Sequence, residues 1–103
     1  MGVKKSEGRR DWCFTLNNYT DSDKEILHAS GAKYIFYGHE KCPTTGTPHL
    51  QGYIYFKDAV SFKTIKRHLP RANIRPCDGT TAQNQRYCGK DGVDLFEQGV
   101  APK

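Results

Sequence analysis

The stretch His49-Leu-Gln-Gly-Tyr-Ile-Tyr-Phe56 predicts the β-strand around which the fold is built. It is rich in aromatic and aliphatic residues, and polar residues stand at alternate positions near its start. Side chains two apart on a strand lie on the same face of a sheet. One face therefore carries His49, Gln51, Tyr53 and Tyr55, and the other carries Leu50, Gly52, Ile54 and Phe56. An imidazole and an amide thus lie side by side.

Four further segments on either side of this stretch predict strands. Residues 11–17 alternate between apolar and polar side chains, as a half-buried strand does, and residues 33–38 are rich in aromatic and β-branched side chains. Residues 73–77 form a short candidate whose Pro76 suits the edge of a sheet, and residues 93–98 could return as a fifth strand. The sequence therefore predicts five strands.

Helices are predicted in three of the intervening segments. The first opens at Thr20, and the second covers residues 61–69, where apolar side chains recur at helical spacing. The third opens at Thr80 and Gln83 with the pattern of a capping box and runs to about Asp91. Together the elements predict an α+β domain with a central, mainly antiparallel five-stranded sheet and flanking helices.

Length and composition limit the class of protein. The 103 residues suffice for one domain, which we place at residues 11–99 between a basic tail at 1–10 and a short tail at 100–103. The formal charge of +5 favours a polyanionic partner without requiring one. No stretch approaches the roughly 20 apolar residues of a membrane span, and the start lacks the apolar block of a signal peptide. We expect an intracellular protein with no membrane partner.

The four cysteines could pair in three ways, but nothing in the sequence marks the chain as secreted. We therefore expect reduced thiols. No C-x-x-C pattern occurs, so a structural zinc site is weakly supported.

Glu40 is a candidate partner for His49 and Gln51. It lies just past the predicted second strand, and a short loop connects it to the third, so an antiparallel hairpin could bring the three side chains together. One nitrogen and two oxygens suit Mn²⁺ or Mg²⁺. The alternative is a polar pair on the surface of a strand. His39 and Cys42 could complete a zinc-type set, although no regular ligand spacing supports one.

Tyr87 and Lys90 are three residues apart in the last predicted helix, with Gln83 and Asp91 four residues to either side of the tyrosine. All four therefore lie along one stripe. A phenol with a pKa of about 10 is a poor nucleophile at neutral pH unless a cation assists it, and Lys90 is in place to do so. The alternative is that the Tyr87 ring packs on the sheet while Lys90 is solvated.

Basic and aromatic residues could together form a groove for single-stranded nucleic acid, although many such runs are only solvated faces. The basic candidates are Lys4, Lys5, Arg9, Arg10, Lys63, Lys66, Arg67, Arg71, Arg75 and Arg86, and the aromatic ones are Trp12, Tyr19, Tyr53 and Tyr55.

Three segments in order carry a resemblance to a known family. They are Phe14-Thr-Leu-Asn-Asn18, Pro48-His-Leu-Gln-Gly-Tyr53 and Tyr87-Cys-Gly-Lys90. Over about residues 10–102 the chain resembles the replication initiators of circoviruses and related circular single-stranded DNA viruses, which are HUH endonucleases. Each motif alone is weak, but three at these spacings are highly specific. The resemblance implies the RRM-like HUH endonuclease fold.

Site residues follow from the resemblance, position by position. His49-Leu50-Gln51 is similar to the family's circovirus-type metal motif, and Glu40 occupies the position of its acidic ligand. His39 stands beside Glu40 where relatives often carry another acid. The resemblance further implies Tyr87 as nucleophile, Lys90 as the motif lysine and Asp91 as a possible fourth ligand. It also implies DNA contacts from Asn17, Asn18 and the segment 71–84, which contains Arg71, Arg75, Gln83 and Asn84. Tyr53 is a further candidate, because its ring on the sheet could stack on a base.

The implied function is sequence-specific nicking and rejoining of the single-stranded loop of a viral origin hairpin through a 5′-phosphotyrosine, with Mn²⁺ or Mg²⁺, to start rolling-circle replication. The resemblance also implies action in the host nucleus, and a longer native protein that continues into a helicase and can oligomerise although this domain is a monomer. Two rivals remain, a non-catalytic single-strand binding module and a metal nuclease that uses water.

Overall fold

The computed structural model describes residues 8–77, 79–89 and 93–102, which form one five-stranded sheet with three helices. Every strand pair in the sheet is antiparallel, and the strand order is β4-β1-β3-β2-β5. The α+β prediction is therefore confirmed. The elements are β1 (Gly8–Asn17), α1 (Asp21–His28), β2 (Tyr34–Lys41), β3 (Pro48–Ser61), α2 (Phe62–His68), β4 (Asn73–Pro76), α3 (Thr81–Gly89) and β5 (Val93–Gly99).

The central strand is β3, which pairs with β1 on one side and with β2 on the other. Its alternation sends apolar side chains to one face, where they meet α1 and α2 in the larger core. The buried members of that core include Phe14, Leu16, Leu27, Ile35, Leu50, Ile54 and Ile65. The opposite face packs against α3 through a smaller buried cluster of Cys13, Tyr34, Tyr53, Cys77 and Cys88. The sheet thus has helices on both faces.

β1 and β3 are both longer than predicted at the end of the pair where Gly8 lies opposite Ser61, and β3 continues past the predicted end at Phe56. β1 already begins at Gly8, whose partner is Ser61, and a register shift between Arg9 and Asp11 lets the pairing continue. The predicted N-terminal tail is therefore wrong for residues 8–10, while residues 1–7 lie outside the described part of the chain. Polar residues such as Lys57 concealed this extension, because residues 57–59 are exposed and lack the alternation of a half-buried strand.

Glu40 lies within β2 rather than beyond it. The strand runs to Lys41, because the hairpin pairing continues as far as Lys41 opposite Pro48. The predicted end at Gly38 is therefore wrong. Because Glu40 is held by a strand and not by a loop, its position opposite His49 is fixed by the hairpin pairing.

Hydroxyl side chains cap the start of each helix. Thr20 accepts from the backbone of Asp23, whose carboxylate accepts from the Thr20 backbone in return. Ser61 caps α2. The predicted capping box at the third helix is confirmed, because the Thr80 hydroxyl accepts from the Gln83 N–H at 3.1 Å and Gln83 Oε1 accepts from the Thr80 N–H at 2.8 Å. No helix in the described ranges is long and apolar enough to cross a membrane.

Gly52 marks the tightest contact of the larger core. It lies opposite Phe14, and a Cβ placed on Gly52 would fall 2.2 Å from Phe14 Cζ. We expect Gly52→Ala to lower the free energy of unfolding by about 3 kcal/mol, because Phe14 is fully buried and has no space to move. Urea denaturation measures this loss. Gly8→Ala is the control, since a Cβ there would meet Ala59 at an ordinary 3.6 Å; equal losses in both variants would contradict the prediction.

The capping box at Thr80 predicts a separate loss at α3. Thr80→Ala removes the acceptor for the Gln83 N–H, so we expect a cost of about 1 kcal/mol in the free energy of unfolding. Thr80→Ser retains the hydroxyl and should stay close to the wild type. A loss of similar size in both variants, measured by urea denaturation, would show that the hydroxyl does not act as a cap.

Candidate active site

Glu40 and His49 form the centre of the site. They are direct partners across the β2–β3 hairpin, and His49 Nε2 lies 3.1 Å from Glu40 Oε1. Their side chains are 19% and 16% exposed, so both are largely withdrawn from water yet reachable from one side. The structure brings these two predicted ligands together.

Gln51 lies two residues along β3 on the same face. Its Oε1 accepts a hydrogen bond of 3.2 Å from Thr15 Oγ1, whereas its Nε2 is buried with no hydrogen-bond partner. A half-turn of the amide would let Nε2 donate to Thr15 and would place Oε1 at the unpartnered position. Leaving a buried polar atom unpaired costs about 1–3 kcal/mol, so a cation coordinated by that oxygen would offset the cost.

This donor set fits a hard divalent cation. An imidazole nitrogen, a carboxylate oxygen and an amide oxygen suit Mn²⁺ or Mg²⁺ better than a thiolate-loving ion. In the described ranges no group of three His, Cys, Asp or Glu side chains could hold a metal. The predicted fourth donor, Asp91, lies outside the described residues, as does the predicted motif lysine, Lys90.

Thr15 is a residue that the sequence analysis missed. It is the direct partner of Gln51 across the β1–β3 pair and is the one described hydrogen-bond partner of its amide. The signal was present in the first motif, because Thr15 lies between Phe14 and Leu16 and must therefore face away from the larger core. Recognising it required the register between the strands, which the sequence does not state.

α3 is fixed to the sheet largely by polar contacts. Gln85 Nε2 donates to the Tyr34 hydroxyl at 2.6 Å, and that hydroxyl donates to Glu97 Oε2 at 2.6 Å. Burial raises the pKa of Tyr34 to about 12, and its bond to Glu97 adds to the rise, so the hydroxyl keeps the proton that it donates. The thiol of Cys13 on β1 donates to Asn84 Oδ1 at 3.2 Å. These contacts orient the helix about its own axis.

Tyr87 lies on the exposed side of α3, next to Arg75 and Pro76 of β4. Its neighbours Gln85 and Cys88 make the contacts with the sheet, and Tyr87 is left 53% exposed. This exposure does not support the alternative prediction that the ring packs on the sheet. A tyrosine on a firmly held helix with an exposed phenol is available to react with a ligand.

The Cys88 thiol on α3 lies close enough to the Glu40 carboxylate for the two groups to interact electrostatically. Burial raises the pKa of the Cys88 thiol to about 12; Cys13 and Glu40 raise it further, while Arg75 opposes them. A Cβ placed on Gly89, two residues after Tyr87, would lie 3.4 Å from Phe36 Cζ, and Phe36 shares its face of β2 with Glu40. The helix turn that carries the candidate nucleophile therefore lies over the sheet face that carries Glu40.

A cleft of about 530 Å³ adjoins Tyr87 at the β4 side of the helix. Arg75 from β4 and Arg86 from α3 both line it, and both are exposed. Neither guanidinium has an ion-pair partner among the described residues. Two unpaired cations beside an exposed phenol are suited to a ligand that carries phosphate.

Asn17, Asn18 and Arg71 lie together at the end of β1. Asn17 is the partner of His49 on β3, and Asn18 adopts a left-handed conformation with φ of 52°. Arg71 pairs with Asp23 and donates to the backbone carbonyl of Asn17 at 3.1 Å. This places the asparagines next to the candidate metal ligands and gives Arg71 a structural task as well.

The other predicted DNA contacts are placed differently. The prediction that Tyr53 stacks on bases is wrong, because its ring is fully buried under α3 and its hydroxyl bonds to Asp11 and Thr81. Gln83 lines the cleft while it caps the helix. Asn84 is only 5% exposed. Both remain predictions as DNA contacts.

Comparison with known proteins identifies the family. A family model described as putative viral replication protein matches residues 9–91. The chain is 40% identical over 106 aligned residues to the replication-associated protein of beak and feather disease virus, covering 100% of the chain and 36% of that protein. It is 42% identical over 94 residues to that of human associated cyclovirus 1, covering 87% and 33%.

The replication-associated protein of porcine circovirus 1 is 36% identical over 106 residues, which cover 97% of the chain and 34% of that protein. The chain thus spans about a third of the length of the curated relatives it matches. Because the family model covers most of the chain, the chain belongs to the family of viral replication proteins, alongside the circovirus replication-associated proteins.

Proposed function

We propose that this chain is a metal-dependent endonuclease and strand-transferase that nicks and rejoins single-stranded DNA at a viral replication origin. A role in viral replication follows from its family. The finer proposal is carried by one observation: the exposed Tyr87 stands on a helix packed over the sheet face that bears Glu40, His49 and Gln51.

Glu40, His49 and Gln51 would hold Mn²⁺ or Mg²⁺, and Asp91 is a possible further ligand. A divalent cation bound there supplies polarisation of the scissile phosphate. The chain's own residues supply the rest. The strands fix the donors at one edge of the site, and α3 presents Tyr87 to the phosphorus. Lys90 would favour the phenolate or stabilise charge on the phosphate.

The chemical step exchanges one phosphate ester for another. The Tyr87 oxygen forms a bond to phosphorus, the bond from phosphorus to the 3′ oxygen breaks, and that oxygen leaves with a proton as the 3′-hydroxyl. The phenol has lost its proton, and no water is consumed. Because the phosphotyrosine ester is close in energy to the phosphodiester it replaces, a 3′-hydroxyl can attack it and reseal the strand.

The proposed substrate is the single-stranded loop of a viral origin hairpin. The net charge of +5 supports a polyanionic strand at this site, as do Arg75 and Arg86 beside Tyr87, which have no ion-pair partner within residues 8–77, 79–89 and 93–102. Since the chain spans about a third of its relatives' length, the wider predictions remain proposals: start of rolling-circle replication, action in the host nucleus, a helicase region and oligomerisation of the full-length protein.

The nucleophile predicts a covalent product. Wild-type protein incubated with Mn²⁺ and a labelled origin oligonucleotide should give a protein–DNA adduct in a denaturing gel, and Tyr87→Phe should give none, because it lacks the attacking oxygen. Tyr37→Phe is the matched control: that hydroxyl bonds to His28 on the other face of the sheet, so its adduct should persist. Cleavage without an adduct would favour a water-using nuclease, and binding without cleavage would favour a binding module.

The metal ligands predict a loss of cleavage with retained binding. His49→Ala should abolish adduct formation while leaving much of the affinity for single-stranded DNA, because Arg75 and Arg86 are untouched. Mn²⁺ should also raise the Tm of the wild type by mass action and leave that of His49→Ala unchanged. His68→Ala, an exposed histidine on α2, is the control. An Mn²⁺-dependent Tm shift of wild-type size in His49→Ala would refute this ligand assignment.

A further inference from the structure

His39 lies next to Glu40 in β2, and its side chain points to the opposite face of the sheet. Both ring nitrogens have partners. Nδ1 lies 2.8 Å from the Asp94 carbonyl oxygen, and Nε2 lies 3.0 Å from the Lys24 ammonium. An ammonium group can only donate, so Nε2 accepts and Nδ1 carries the hydrogen that is donated to Asp94. The rings of Tyr19 and Tyr37 meet the imidazole edge to face, with centroids 5.6 and 5.5 Å away.

The bond from His39 reaches β5 where its backbone pairing is irregular. β5 pairs regularly with β2 as far as Phe96 opposite Tyr37, and then a register shift precedes the pair of Val93 with His39. Asp94, within this irregular part, has φ of 50°, a conformation that a residue with a side chain keeps only when its surroundings hold it. The imidazole is therefore one of the contacts that hold the start of β5 in place.

The start of β5 in turn limits where α3 can end. Only residues 90–92 connect Gly89, the last residue of α3, to Val93, so the two ends can lie at most about 14 Å apart. Leu95 also packs at the helix end, with its Cδ1 3.5 Å from the place a Cβ on Gly89 would take. A shift at Asp94 would thus pass to the helix turn that carries Tyr87.

We propose that His39 is a positioning residue: through its Nδ1 hydrogen bond to the Asp94 carbonyl it fixes the end of α3, and so Tyr87, relative to Glu40. The two functions belong to consecutive residues of one strand, because Glu40 faces the candidate metal site and His39 holds β5. This inference rests on the proposed function, since it gives His39 a role in aligning the same nucleophile and metal ligands.

Three variants separate the hydrogen bond from the packing of the ring. His39→Phe keeps an aromatic ring between Tyr19 and Tyr37 and loses the donor. His39→Asn loses the ring and keeps an N–H close to the position of Nδ1. Should His39→Phe fail to fold, His39→Leu replaces it as the variant without a donor, with the same expected results.

Adduct formation is measured in single turnovers at saturating DNA and Mn²⁺, well below the Tm of each variant. The rate should fall about tenfold or more in His39→Phe, since misplacement of a reacting group by about 1 Å can lower a rate about a hundredfold. His39→Asn should recover most of that loss. The Kd for the oligonucleotide and the Mn²⁺ midpoint should not change. A wild-type rate in His39→Phe, equal losses in His39→Phe and His39→Asn, or a shifted Mn²⁺ midpoint would each overturn the proposal.

Amide hydrogen exchange at residues 93–95 gives a readout that does not depend on cleavage. Loss of the donor should speed exchange there about tenfold, and His39→Asn should restore protection. If the wild type forms no adduct, the proposed function fails, and exchange still decides whether His39 holds the start of β5. Unchanged exchange in His39→Phe would overturn the inference even if the wild type is active.

Discussion

The alternation of side chains along β3 is the constraint on which the rest of the structure depends. Because the side-chain period of a strand is two, a slip of one residue would bury His49 and Gln51 in the larger core and move Leu50 and Ile54 to the face of the candidate site. The cost of burying unpaired polar groups and of removing two aliphatic side chains from the larger core excludes that slip. The same energy that forms the core therefore sets the registers that bring Glu40 opposite His49 and Thr15 opposite Gln51.

The two faces of the sheet are held by different kinds of contact. Aliphatic and aromatic packing joins the sheet to α1 and α2, whereas α3 is attached through the hydroxyl of Tyr34, the amides of Gln85 and Asn84, and the thiols of Cys13 and Cys88. Hydrogen bonds specify direction more sharply than apolar contacts do. A helix attached in this way has a defined rotation about its axis, which leaves Tyr87 exposed beside the cleft while Asn84 and Cys88 are buried.

Most of the fold could be predicted from the sequence, because its elements are marked by strong local signals. The period of two in β3, the hydroxyl caps at Thr20 and Thr80, and Pro76 at an edge each reflect a physical requirement of one segment. Strand ends were harder, since β1 and β2 are extended by pairing with a distant segment. In the site, too, the local feature could be predicted: the alternation along β3 places His49 and Gln51 on one face.

The contributions of Thr15 and His39 required the register of neighbouring strands. The burial of Tyr53 required knowing where α3 packs, since an aromatic residue on a strand looks the same whether a helix covers it or not. The exposure of Tyr87 depended on its neighbours in the same way, because helical spacing groups residues into stripes without stating which stripe meets the sheet.

The edge strand β4 affects whether this open sheet can add a strand from another molecule. It is an edge strand of only four residues, and its last residue, Pro76, has no N–H to offer. An exposed edge is a template on which a strand of another molecule can add, and natural proteins blunt such edges with short strands and proline. At the β4 edge an incoming strand would find too few donors to extend the sheet, so this side of the domain resists edge-to-edge aggregation.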